Sequence, residues 1–155
     1  MSLAAIAASK PDAARQLIAA NPQLLNEKTS TGETALHYLA IENQIEAVRA
    51  LLRSNAGVDE PDHSGETALM HAAQLGYVTM CNLLLANGAD PKASSTFGDT
   101  PLHFASSHGR REICELLLSR GADPRASNHI GETPESVALP RKRLEIITVL
   151  AKGTP

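Results

Sequence analysis

Histidine, cysteine and carboxylate side chains set the chemistry open to this 155-residue chain. Six histidines stand at positions 37, 63, 71, 103, 108 and 129, and two cysteines at 81 and 114. A metal site or a general base needs such groups brought together, and on a helix that means a spacing of three or four residues. His103 and His108 are five apart, a poor spacing for one helix face. His63 and His129 fall in loop sequence with no second ligand close by. No HExxH, paired CxxC or GxSxG segment is present. Asp and Glu occur at loop and helix-start positions rather than as an inward-facing pair. No catalytic residue, cofactor or metal ligand set is therefore assigned, and an enzyme is not expected. The alternative of a small metal- or phosphate-dependent enzyme would have to use His71, His103 and His108. Stoichiometric metal retention would mark it.

The cysteines are 33 residues apart, at positions where Val48 and Ile147 stand elsewhere. Packed helices lie about 8–10 Å apart, beyond the roughly 7 Å Cα separation that a disulfide allows. Both are expected as small buried side chains with reduced thiols.

That spacing of 33 is the frame of the whole chain. Gly32, Gly65, Gly98 and Gly131 each open the pattern G-[ED]-T-[AP], 33 residues apart. LLLANGADPKAS (83–94) is in register with LLLSRGADPRAS (116–127). Gly98 permits the positive φ of a tight turn. Thr100 suits a helix N-cap, and Pro101 the first helical position. Gly109 ends that short helix, and a second begins near Arg110. Gly121 stops the second, and Pro124 keeps it from continuing. Asn43 and Asn55 take the place of terminating glycines, being the residue type that next best tolerates left-handed geometry.

GDTPLHFA followed by EICELLLSRGADP resembles the ankyrin repeat, whose pattern is G-x-T-P-L-H-x-A, a second helix and G-A-D. The resemblance implies an all-α solenoid of stacked helix-turn-helix pairs with hairpin-like loops projecting at one side. It covers residues 1–155 as a single domain. Residues 32–64, 65–97 and 98–130 are full repeats, flanked by an N-terminal cap (1–31) and a C-terminal cap (131–155). In the first cap Leu3, Leu17 and Ile18 fall in frame with Leu36 and Leu51. In the last, Glu135 and Ser136 replace leucine and histidine, and Lys142 replaces the turn glycine. His37 and His103 occupy the slot in which the family's histidine ties neighbouring units together. In GETALMHAAQLG (65–76) that slot holds Met70, and the histidine stands one residue later, at His71.

The resemblance further implies a non-enzymatic module that binds another protein through its concave face of loop tips and first helices. The first full repeat places Ser30, Thr31, Glu33, Tyr38, Ile41 and Glu42 there, and the second His63, Ser64, Glu66, His71, Gln74 and Leu75. The third contributes Thr96, Phe97, Asp99, Phe104, Ser107 and His108, and the last His129, Ile130, Glu132 and Arg141. Glu33, Glu66, Asp99 and Glu132 form a column of carboxylates at roughly 10 Å intervals, where each acid also favours the helix start that follows it. Residues 32–64 carry six acids against two bases, a net −4, whereas 98–130 balance at four against four. A partner with a basic and apolar segment is expected, with Ile41, Leu75, Phe97 and Ile130 as apolar anchors. His71 is expected to line the inner groove with Tyr38 and Phe104.

The core must be aliphatic, since aromatics are 3% of the chain and tryptophan is absent. The net charge of −3 argues against a general nucleic-acid binder, which usually carries a basic face. No run approaches the roughly 18 apolar residues of a membrane span. The opening MSLAAIAASK lacks the basic start of a secretory signal, so a cytoplasmic setting is expected, with the nucleus as the alternative. The basic stretch PRKR (140–143) is expected to be a solvated cap surface. A monomer with no small-molecule substrate is expected. An adaptor or inhibitory arm of a larger multidomain protein is the alternative.

Overall fold

Left-handed residues divide the chain into short helices. In the computed structural model, which describes residues 16, 19–138 and 144–152, a 3-10 turn at Pro22–Asn26 precedes α1 (Ala35–Ile41) and α2 (Ile45–Arg53). There follow α3 (Ala68–Leu75), α4 (Val78–Ala86), α5 (Pro101–Ser107), α6 (Arg111–Ser119), α7 (Pro134–Ala138) and α8 (Leu144–Lys152). Asn43 and Asn55 have φ of 54° and 64°, the conformation expected of them as glycine substitutes. The expectations for Leu3, Leu17, Ile18, Arg141, Lys142 and PRKR lie outside the described residues.

Each odd-numbered helix pairs with the even-numbered helix after it. The odd helices pack side by side in one row, α1 on α3, α3 on α5 and α5 on α7, and the even helices in a second. The architecture is an all-helical repeat solenoid, with no strand among the described residues. The 33-residue frame aligns its core. Leu36, Leu69 and Leu102 are fully enclosed in the inner row, as are Leu51, Leu84, Leu117 and Leu150 in the outer row. Each such leucine contributes about 2 kcal/mol by leaving water. Because these residues pack between units, no unit can bury its own face alone.

Cys81 and Cys114 are buried free thiols in this core. Burial pushes them up to about 12 and about 11 respectively, which holds both in the unreactive thiol form. Among the described residues no helix is long and apolar enough to cross a membrane.

The loops fold into fingers. At the base of each, the N–H of Thr29, Asp62, Ser95 or Asn128 donates to the carbonyl four residues on, at 2.9 Å. Neighbouring fingers are joined by His63 N–H to Thr31 O (3.1 Å), Thr96 N–H to Ser64 O (2.8 Å) and His129 N–H to Phe97 O (2.9 Å). This close approach, together with a φ of +73°, explains Gly65: a Cβ there would sit 2.6 Å from Thr96 N. Gly131 has φ +82° and nothing within 4 Å of a Cβ, so its turn alone calls for glycine.

Candidate functional site

The polar chemistry starts at the N-termini of the inner helices. The Thr100 N–H donates to His103 Nδ1 at 3.1 Å, and Thr100 Oγ1 lies 2.9 Å from the same nitrogen. With Nδ1 accepting, the ring proton sits on Nε2, which donates to Glu132 O at 3.1 Å. His37 repeats the arrangement with Thr34 and with Glu66 O, at 3.2 and 3.0 Å. Each imidazole thus caps its own helix and staples it to the next finger. Burial lowers the pKa of His37, which keeps the ring neutral and Nδ1 able to accept. In the last unit Ser136 Oγ accepts from Thr133 N–H at 2.8 Å, preserving the cap with a shorter side chain.

The second unit differs. Met70 is fully buried in the staple slot and offers no donor. Thr67 Oγ1 is left buried without a hydrogen-bond partner. His71, one residue on, is turned about 100° around the helix axis. There it lies between two carboxylates, with Nε2 3.4 Å from Asp62 Oδ2 and Nδ1 3.5 Å from Glu66 Oε2. Its ring edge meets His37, with centroids 5.8 Å apart.

His71, expected to line the inner groove, has a side chain 15% exposed and stands between Asp62 and Glu66. One expectation is corrected by this geometry. The acids were expected to form no facing pair, whereas Asp62 and Glu66 converge on one imidazole. Burial pushes the Glu66 carboxyl above its ordinary range, with Asp62 and Asp99 adding to the shift and His71 opposing it. The trio His71, His103 and His108 is not assembled as a site. His103 spends both nitrogens on its staple, and His108 bonds Phe104 O (3.0 Å) and approaches Gln74 (3.5 Å).

Asp62 is the residue that sequence reasoning missed. Thr29, Asp62, Ser95 and Asn128 form a column with a period of 33, and each has a side-chain oxygen that accepts two backbone N–H groups of its own finger. Asp62 Oδ1 takes those of Ser64 (2.8 Å) and Glu66 (2.9 Å), which leaves Oδ2 toward His71. The column of short oxygen-bearing side chains was the available signal.

The profile of ankyrin repeats (3 copies) matches residues 1–95, and that of a single ankyrin repeat matches residues 97–129. The chain belongs to the ankyrin repeat family. No curated protein matches the sequence. Ankyrin repeats are generally protein–protein interaction modules, and ankyrin repeat domains are typically non-enzymatic.

On this ankyrin stack Tyr38, Glu42, His63, Leu75, Phe97, His129, Ile130 and Glu132 are exposed. Glu33, Ile41, Glu66, Gln74, Asp99, Phe104 and His108 are half-buried, so Ile41 is not the solvent-facing anchor expected of it. The acidic column is uneven. Glu33 accepts from Thr31 Oγ1 (2.8 Å), and Asp99 accepts from Asn128 Nδ2 (2.9 Å). Phe97 and Ile130 project from consecutive finger tips and are 69% and 80% exposed.

Proposed function

We propose that the chain binds a partner protein through its finger tips and inner helices, and that the partner contributes a basic segment carrying apolar side chains. The observation that carries this reading is the pair Phe97 and Ile130. Each is a large apolar side chain held in water two residues from a carboxylate, Asp99 or Glu132. Apolar anchors beside polar groups have the make-up of an interface centre and rim. Tyr38 and Leu75 extend the apolar surface onto the inner helices. Affinity comes from the anchors, while the acids set orientation and encounter rate. Residues 1–155 act as one monomeric binding unit, with no catalytic group or small-molecule substrate.

The test is affinity purification with mass spectrometry. Wild type is compared with a Phe97→Ser/Ile130→Ser chain and a Glu33→Gln/Glu132→Gln chain. The apolar pair is expected to lose partners by at least about tenfold. The charge pair is expected to retain them less well at low salt, with little difference at high salt. Unchanged recovery by both variants, with the fold intact by circular dichroism, would sink the reading.

A further inference from the structure

The half-buried cluster where the first and second full repeats meet has the chemistry of a cation site. We propose that Asp62, Glu66 and His71 bind a divalent transition-metal ion of the zinc type. One ligand atom from each residue lies within 4.8 Å of the other two. A tetrahedral ion with bonds of about 2.0–2.1 Å separates its ligand atoms by roughly 3.3 Å, close to the 3.4 Å between Asp62 Oδ2 and His71 Nε2.

Backbone contacts hold the segments that carry the ligands before any ion arrives. Asp62 is anchored through Oδ1 to its finger, leaving Oδ2 to bind. Glu66 is held by its carbonyl, which accepts from Asp62 N–H (2.9 Å) and His37 Nε2 (3.0 Å). His71 stands on α3. A second observation concerns the imidazole: His71 Nε2 is buried and makes no hydrogen bond, although it stands 3.4 Å from Asp62 Oδ2. Buried polar atoms of this kind are rare and call for a missing ion or water. Glu66 Oε2, 3.5 Å from His71 Nδ1, brings the second carboxylate to the same imidazole. Among the described residues no lysine or arginine is paired with Asp62 or Glu66, so two negative charges stand ready for a doubly charged ion.

The ligand set selects the class of metal. Calcium takes six to eight oxygens and magnesium a near-ideal octahedron, whereas imidazole with carboxylates suits zinc, nickel or cobalt. His37 is the nearest other ring, but both its nitrogens are spent on Thr34 and Glu66 O.

Two variants taken from the chain's own repeats test the site without disturbing the fold. Asp62→Asn keeps the side-chain oxygen that serves the finger, as Asn128 does in the last finger. His71→Phe places at 71 the residue type found at the equivalent Phe104. Calorimetric titration of the untagged full chain with zinc chloride is expected to show one site per chain and a rise in melting temperature. Each variant is expected to weaken binding by more than about tenfold, while His63→Ala and His108→Ala leave it unchanged. Magnesium chloride is expected to give no saturable heat. The proposal is overturned if wild type binds no stoichiometric zinc, which would leave the cluster a structural contact of one imidazole with two carboxylates. It is equally overturned if zinc binding survives both Asp62→Asn and His71→Phe.

Discussion

Residues 65–97 and 98–130 begin with the same glycine turn and threonine and then differ at one slot. In the later unit His103 caps α5 and reaches across to Glu132 O. In the earlier unit Met70 fills the same space with apolar contact alone, and Thr67 Oγ1 has no partner. A neighbour-stacked core therefore does not depend on a polar staple at every joint. Where the staple is given up, the histidine is released to another helix face, and the second unit uses it to close a pair of carboxylates.

The strongest way to break this comparison is to give the third unit the second unit's residue. His103→Met orphans the Thr100 N–H and hydroxyl and removes the bond to Glu132 O. It is expected to cost about 3 kcal/mol, since buried donors without partners are penalised more than a made hydrogen bond is rewarded. Urea unfolding checks this, and a loss under about 1 kcal/mol would show that the staple is dispensable. The reverse exchange sharpens the contrast. Met70→His supplies Thr67 with a partner and reaches toward Asp99 O, the equivalent of Glu132 O. It is expected to raise stability by about 1 kcal/mol, because the new bonds are partly offset by lost apolar burial. A fall in the urea midpoint would mean that methionine packing outweighs them.

The smallest effect is on pH. The depressed pKa of His37 means that the native chain binds fewer protons than the unfolded chain just below the ordinary value of 6.5. Stability from this residue is therefore complete above that value and falls as pH drops beneath it. Unfolding midpoints measured between pH 7.5 and 5.5 are expected to fall more steeply for wild type than for His37→Met. Parallel slopes would assign the dependence to other groups.

Much of this architecture was legible because it repeats. The finger glycines, the asparagine stops and the slots of His37 and His103 are short-range requirements of backbone geometry, and the 33-residue frame shows each several times. The placement of His71 was not legible. Its helix position predicted the same face as Tyr38 and Phe104, and that face is half-buried or exposed at both. What encloses His71 is a carboxylate nine residues earlier, brought back by the finger and aimed at the ring because its other oxygen is held by the finger backbone. Ile41 is similar: its position on the helix was readable, but its half-burial depends on neighbours that periodicity alone does not place.

The joint between these two units is also bonded at its far end. Arg110 Nε donates to Gln74 O at 3.0 Å and lies across Gly76, where a Cβ would come within 3.0 Å of it. Met70 lies near the finger end of α3 and Gln74 near its opposite end. The joint is thus pinned on one side and greased on the other, like a fan held at its rivet. A bulky segment entering between Ser64 and Phe97 would work against one backbone hydrogen bond rather than a bond and a staple.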